Sequence, residues 1–480
     1  MSPANEYGEL TDPKSDRIDQ GHSHLDETAG PVAGEVAGGR ERPDPAQGGA
    51  DREDAGQGGG GSGLIQVLAA PMFRSLRNRN FRLFTAGSLV SNTGTWMQRV
   101  AQDWLMLELS HNSGTALGIT TGLQFLPMML FGLWGGVIAD RYSKRRVLVI
   151  TQAAMGLLAL ILGLLDLTGS ARLWQVYLLA FALGVATVVD NPARQTFVVE
   201  MVGRADLPNA IALGGACFNI GRVLGPAVAG LLIAVIGTGP VFLVNAASFV
   251  AVLVSLAFMR ADELRTAEPV ARAKGQLLEG LRYVRARREL VMVLVVLGFV
   301  ATFGMNLGII TPLIAKKVFH SGASAFGLAS TMQAVGALIG ALVAARRVGP
   351  NRRLLIGSAV LFGVLEMAAS LMPSYWLFLV LLVPTGVAML TFTTTSNATM
   401  QLGVTAAMRG RVMALYMLVI LGTNPLGAPL IGKLAELIGP RYTMTLGGAV
   451  AALVPLLVAA VMLPRETLTE AAADLTDPSH

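Results

Sequence analysis

Residues 135–146 read Gly135-Gly136-Val137-Ile138-Ala139-Asp140-Arg141-Tyr142-Ser143-Lys144-Arg145-Arg146. Ahead of this stretch, Gly114 to Ala139 carries no charge, and behind it Val147 to Leu165 carries none either. Each apolar segment is close to the ~20 residues that a helix needs to cross a bilayer. The turn between them is rich in Arg and Lys and too short to be a domain. Two such segments joined by a basic turn predict a transmembrane hairpin with its turn in the cytoplasm.

The rest of the chain extends this pattern. Its 480 residues are 53% hydrophobic and only 14% charged, with a mean hydropathy of +0.56. Soluble domains carry about 25% charged residues, so the composition predicts a polytopic membrane protein. Twelve segments read as spans: 81–107, 114–139, 147–168, 173–196, 208–236, 239–259, 290–315, 323–345, 354–372, 375–400, 409–438 and 441–463. The predicted fold class is an all-α membrane protein with twelve transmembrane helices in two pseudo-symmetric halves of six.

Charge is unevenly distributed. Residues 1–62 hold 13 acids and five bases and end in four glycines and Ser62, which reads as a disordered acidic cytoplasmic tail. Residues 465–480 form a second acidic tail. Net charge is +6 overall, which leaves +17 on residues 63–464. Those bases lie in short loops between apolar segments, where they set topology rather than bind nucleic acid. With the N-terminus inside, 25 Lys and Arg fall in cytoplasmic loops and flanks, and only Arg172, Lys316, Lys317 and Arg441 fall outside. Both termini are therefore expected in the cytoplasm, in a multi-pass protein of the plasma (inner) membrane. The longest internal loop separates a first half at 63–260 from a second at 290–464. Within this linker, 261–289, Leu277, Leu278, Leu281 and Val284 share a helical face, which predicts a short helix, either lying on the inner leaflet or forming a soluble linker.

The halves repeat. Asn191-x-x-x-Gln195 recurs as Asn397-x-x-x-Gln401, and Gly225, Gly230 and Gly237 recur as Gly427, Gly432 and Gly439 at an offset of 202. This relates spans 2, 4 and 5 to spans 8, 10 and 11, a parallel repeat.

The spacing Gly136-x-x-x-Asp140-Arg141-x-x-Lys144-Arg145 resembles the signature loop between helices 2 and 3 of the major facilitator superfamily, with Ser143 where glycine is usual. In span 5, Gly221-Arg222-Val223-Leu224-Gly225-Pro226-Ala227-Val228-Ala229-Gly230 looks like the motif of that superfamily's proton-coupled exporters. Ala212 and Ala229 stand where glycine is commoner. Together with Asn92–Gln98 and Asp190–Gln195 it is similar to the siderophore- and drug-exporting, enterobactin-exporter-like branch. The resemblance implies a secondary exporter, an antiporter driven by the proton gradient. It also implies an inner gate. Asp190 would pair with Lys144 or Arg145, and Asp140 would meet the start of span 11 near Arg409 and Arg411, where a helix dipole favours an anion.

Charges inside spans are costly unless paired or hydrated. Arg99 and Asp103 lie four residues apart on span 1, which allows a pair. Asp103 is the first candidate for the proton-binding acid, because span 1 lines the cavity of the resembled fold. Arg222 is placed to meet an anionic substrate or a carboxylate. Gln98 and Gln102, with Thr394 and Asn397 of span 10, are candidates to wet the cavity, and Trp96, Trp104 and Phe125 to wall it. Glu366 lies in span 9, where the resemblance implies a peripheral helix and hence a structural partner.

Other functions find little support. Three of the five histidines lie in tails and two in outer loops, so no metal site is expected, and Cys217 is alone. Gly427 to Lys433 mimics a phosphate loop, but Leu434 replaces the required Ser or Thr and no strand precedes it. No cofactor is expected, only an ion gradient. The expected partners are a small hydrophobic or amphipathic substrate and the lipid bilayer, with no nucleic acid, and the protein is expected to work as a monomer. An uptake transporter or lysolipid flippase of the same fold, or a non-transporting membrane sensor, would share these features.

Overall fold

The computed structural model describes residues 73–264, 276–346, 349 and 351–462; the predicted tails at 1–62 and 465–480 lie outside them. Among the described residues every regular element is helical. The first five helices are α1 (Arg79–Leu109), α2 (Gly114–Arg141), α3 (Lys144–Leu167), α4 (Leu173–Ile236) and α5 (Thr238–Ala257). After the linker come α6 (Gln276–Arg285), α7 (Arg288–Phe299), α8 (Leu307–Leu313), α9 (Ala323–Ala345) and α10 (Arg352–Ser370). The chain closes with α11 (Tyr375–Leu402), α12 (Ala406–Gly422), α13 (Asn424–Leu437) and α14 (Pro440–Met462).

Local chemistry sets several boundaries. The Asn78 carboxamide oxygen accepts from the Phe81 amide at 3.0 Å and starts α1. The Ser113 hydroxyl oxygen accepts from Ala116 at 3.1 Å and starts α2. Each satisfies an amide that the helix itself leaves unpaired. Predicted spans 4 and 5 are two arms of the 64-residue α4, broken only at Gly203, whose φ of 71° lies in the left-handed region. Span 11 divides into α12 and α13 at Thr423, because Pro425 has no amide to continue the ladder. Span 7 is α7 and α8 separated by a π-helical turn, Val300–Gly304, where the Met305 amide reaches the Val300 carbonyl at 2.9 Å.

Among the described residues, ten helical stretches are long and apolar enough to cross a membrane, with α4 counted once and α7 to Val318 counted as one. The first helix, α1, is not among them because its sequence is too polar. That polarity is turned inward: Ser88, Ser91, Gln98 and Gln102 are all buried. Outward faces are apolar instead, with Val235 83% and Val461 82% exposed, the inverse of a water-soluble surface.

Packing repeats along the chain. Helix α2 lies on α4 as α9 lies on α11; α3 lies on α5 as α10 lies on α14; α3 touches α4 as α10 touches α11. The two sets meet through α2 with α13 and α4 with α9. Small residues permit these approaches, as expected where lipid supplies no hydrophobic drive for helix association. A large central core joins Leu105, Phe242, Leu297, Phe326 and Phe392. A smaller one, with Phe81, Leu148, Phe197 and Leu256, lies nearer the Arg141–Arg146 turn. The linker helix α6 forms as predicted but sits on protein. Val284 is buried, and Gly280 faces the backbone of Arg411 at the start of α12.

A Cβ on Gly336 would collide with the Val383 carbonyl oxygen and lie 2.9 Å from its carbon. Neither backbone can yield. Gly336→Val should therefore lower the stability of the detergent-solubilised protein by about 1–3 kcal/mol or more. Gly214→Ala, where nothing lies within 4 Å, should hold or gain up to about 1 kcal/mol. Thermal and denaturant unfolding of the two variants checks this.

Candidate functional site

A cavity of about 290 Å³ lies where the two sets of helices meet. That is at the lower end of the ~300–1,000 Å³ typical of small-molecule sites. Its most distinctive feature is the Trp96 indole. The Arg99 guanidinium carbon lies 5.0 Å from the ring centroid and that of Arg222 lies 5.7 Å away. Arg99 also lies 5.7 Å from the Phe125 ring. These are cation–π distances. Phe218 packs edge-on against the indole at 5.7 Å.

The glycine motif builds this arrangement. A Cβ on Gly221 would come within 3.0 Å of the Asn92–Thr93 backbone, and one on Gly225 within 2.5 Å of the Trp96 Cβ. Only glycines let the second arm of α4 lie so close to α1, and that approach carries Arg222 across Trp96. Gly230 continues the seam on the other side, against Gly327 of α9. Gly336 and Gly340 of α9 face α11 instead. Pro226 lines the cavity between the two contacts.

Asp103 lines the cavity one turn beyond Arg99. The anticipated Arg99–Asp103 pair is not formed: no ion pair within 4.0 Å joins them, and Arg99 is turned onto the two rings instead. The charged lining is thus two guanidiniums and one carboxylate. Gln124, Asn306, Ser330, Gln333 and Asn424 add polar groups from four further directions, while Phe326, Ile309 and Met389 supply apolar surface. Guanidinium and amide N–H groups serve oxygen atoms on a solute. The rings serve its apolar body, and Asp103 is an acid facing the same space.

Of the predicted cavity set, the structure brings together Trp96, Arg99, Asp103 and Arg222, with Phe125. It does not bring in Gln98, Gln102, Thr394 or Asn397. Gln98 accepts a hydrogen bond from the Asn245 amide of α5 and is buried. Gln102 is also buried, away from the lining. Thr394 returns its hydroxyl to the Leu390 carbonyl at 2.8 Å, and Asn397 accepts from Gln401 at 2.6 Å. Threonine in a membrane helix commonly spends its donor on its own backbone. Trp104 lies behind the wall, stacked on Phe326 at 6.5 Å with the Lys316 ammonium 4.4 Å above it. The sequence reading missed Gln124, Asn306, Gln333 and Asn424. Each is one polar residue in an apolar segment, a signal present but shared with many packing residues.

The predicted gate is rearranged. Asp190 is buried and binds Thr151 at 2.8 Å, Gln152 at 2.7 Å and Arg194 at 3.2 Å. Neither Lys144 nor Arg145 reaches it. Lys144 lies 3.4 Å from Glu200, and Arg145 donates to the Leu256 and Ala257 carbonyls at the end of α5. Glu200 was overlooked because the fourth span was ended at 196, whereas α4 continues through it. Arg409 donates to the Gln401 carbonyl and Arg411 pairs with Glu279 of the linker helix. Gly136 is buried, Asp140 half-buried and Arg141 exposed at the end of α2.

The tightest contact between the two sets of helices lies at the opposite end of α2. Gly114 meets Gly432, and Gly118 meets the Ala428 carbonyl. Glu436 of α13 caps the start of α2: it accepts from the Ser113 hydroxyl, from the Thr115 amide at 3.0 Å and from the Thr115 hydroxyl at 2.7 Å. Nothing lies within 4 Å of a Cβ placed on Gly214, Gly215 or Gly410, all further toward the basic-turn end.

A repeated bundle of membrane-length helices around a polar cavity, closed by glycine contacts at one end, defines a secondary transporter. The chain belongs to the transmembrane secretion effector family of the major facilitator superfamily, whose family model matches residues 70–479. Among its relatives is the staphyloferrin A transporter of Staphylococcus aureus, 27% identical over 76% of this chain and 92% of that one. The multidrug efflux pump Tap of Mycolicibacterium fortuitum is 28% identical over 80% and 95%, and the enterobactin exporter EntS of Escherichia coli is 26% identical over 72% and 82%. The fold matches that of the nucleoside transporter NupG with a TM-score of 0.65, at 12% identity over 81% of this chain and all of that one. The family is one of transporters, not enzymes.

Glu436→Gln should loosen the closed end. Charge-assisted hydrogen bonds contribute about 1.5–3 kcal/mol each, and each 1.4 kcal/mol is about tenfold in an equilibrium. A thiol placed in the cavity by Thr121→Cys, on a Cys217→Ser background, should then react with an impermeant maleimide about tenfold faster from that face. An unchanged rate would mean that Glu436 does not hold the seal.

Proposed function

We propose that this chain is a secondary exporter that moves a small hydrophobic or amphipathic molecule, such as a drug, antibiotic or siderophore, out of the cell by proton antiport and alternating access. The observation that carries this reading is the cavity at the junction of the two helix sets, where two guanidiniums flank Trp96 and the acid Asp103 faces the same space. The chain crosses the cell membrane twelve times, with α4 crossing twice and α1 crossing first, and both termini are cytoplasmic. The two six-helix halves rock about the cavity. Opening at the Arg141–Arg146 side alternates with opening at the Glu436 side. Asp103 holds the exchanged proton within reach of the solute. No cofactor is required, since a membrane potential supplies about 2.3 kcal/mol per charge per 100 mV. The names of the relatives, which include a multidrug efflux pump and an enterobactin exporter, support the outward direction. The working unit is one chain.

Everted membrane vesicles that hold a proton gradient provide the test. A hydrophobic antibiotic or siderophore that is a substrate should collapse the gradient in vesicles carrying the protein, and should fail to do so with Asp103→Asn. If both collapse it, antiport stands and the proton lies elsewhere. If no compound of a broad panel acts on the wild type, the export reading fails and uptake or lipid movement takes its place.

A further inference from the structure

Glu366 stands outside everything described above. It lies in the last turns of α10, is 1% exposed and is not part of the cavity lining. The sequence analysis expected a structural partner for it, yet among the described residues its Oε2 has none. The surrounding elements offer no countercharge. Helix α11 contains no charged residue, and the π-helical turn Val300–Gly304 contains none. The charges of the other neighbours sit at helix starts: Arg352 and Arg353 on α10, Arg288 and Glu289 on α7, and Arg441 on α14, which donates to the Met372 carbonyl. None forms an ion pair with Glu366.

The carboxyl lies between two missing side chains. A Cβ on Gly304 would sit 3.3 Å from its Oε2, and a Cβ on Gly447 would sit 3.6 Å from its Oε1. Gly304 closes the π-helical turn, and Gly447 lies on the Phe303 carbonyl of that same turn. The turn's other side leads directly to the cavity wall, through Met305, Asn306 and Ile309. Asn306 holds the turn together, donating to the carbonyls of Thr302 at 2.7 Å and Ala301 at 3.3 Å. A single distorted turn therefore separates a lone buried acid from residues that would touch a solute. π-Helical turns are often found at functional sites, and an ionisable residue inside a membrane is costly to retain without a role.

We propose that Glu366 is a second proton-binding site, and that taking up or releasing its proton shifts the Val300–Gly304 turn and with it the Met305–Ile309 wall of the cavity. This rests on the antiport reading and adds an acid that never meets the solute. The chemistry is one proton added to a carboxylate oxygen to give the carboxylic acid. The neutral acid fits the unpaired pocket between Gly304 and Gly447. The anion needs water or a donor, which only a rearranged turn admits.

The test uses the full chain in lipid vesicles and needs no solute. Infrared difference spectra between acid and alkaline buffer should contain a carboxylic-acid carbonyl band that is lost in Glu366→Gln and kept in Asp103→Asn. Glu366→Asp should shift the band but keep its titration. In parallel, Ser330→Cys on the Cys217→Ser background should react with N-ethylmaleimide at a rate that, once divided by the thiolate fraction, still changes several-fold with pH. Adding Glu366→Gln should flatten that dependence. A Glu366 band that does not change with pH, or the absence of any band lost in Glu366→Gln, overturns the proposal. So does a pH dependence of labelling, beyond that of the thiol's own ionisation, that survives Glu366→Gln. The vesicle assay for export is separate, so its failure would count against export while these spectra still decide the acid.

Discussion

A polar group facing hydrocarbon has no water to bind, so it must be satisfied within the protein or carry a cost of several kcal/mol. That constraint orders this molecule. It explains why α1, a long helix too polar to count among the membrane-length apolar stretches, turns its polar side chains inward. It explains why Asp190 is surrounded by Thr151, Gln152 and Arg194, and why Asn245 is bonded to Gln98. It also separates groups by purpose. Where polar residues are fully engaged, they serve architecture. Among those left with capacity are Arg99, Arg222 and Asp103 around the cavity, and Glu366 beside the π-helical turn.

Close backbone approach is the second organising device, and it is used in two ways. Within each packing unit, glycine contacts such as Gly336 with Val383 and Gly363 with Gly448 are backed by buried phenylalanines and have no reason to open. Between the units, the contacts at Gly118 with Ala428 and Gly230 with Gly327 are equally close, and an acid, Glu436, caps the helix start beside one of them. Interfaces that must separate carry few long side chains, so little side-chain order is lost and regained as they part. Under the proposed alternating access, the glycines mark both the fixed parts and the seams that part, and only their partners tell the two apart.

The fold was legible because its signals are collective. Apolar length, the basic turns and the offset of 202 between repeated glycines each sum over many residues, and the packing of α2 on α4 and α9 on α11 follows the same repeat. The site was legible in part. Arg99, Asp103 and Arg222 stood out as costly charges inside spans and Trp96 as an apolar wall, and all four line the cavity. Thr394, Asn397, Gln98 and Gln102 were misread because a polar side chain in a helix has two outlets, a cavity or a neighbouring backbone, and sequence does not choose between them. The Asp190 partners were misassigned for a related reason. Lys144 had a nearer acid in Glu200, placed there by a helix that runs on past the apparent end of its span. The isolation of Glu366 was not legible at all, since it depends on glycines far away in sequence, Gly304 and Gly447.

The position of the cavity relative to the seams bears on how binding drives movement. The four helices that carry the main inter-unit contacts all contribute to the lining: α2 through Gln124 and Phe125, α13 through Asn424, α4 through Arg222 and Pro226, and α9 through Phe326 and Gln333. Separation of either seam must therefore displace walls on two sides of the cavity at once. A solute that touches both units has a different binding energy in each arrangement, which is the only way a ligand shifts a conformational equilibrium. Arg222 strengthens the link, because the same glycine seam that holds α4 against α1 holds this cation over Trp96. A contact that opened without disturbing the guanidinium pair would leave the solute unaware of the change. Here the seam that positions Arg222 and the seam at Gly230 lie within about three turns of one arm, so under the proposed cycle the solute's anchor and one parting seam belong to the same helix.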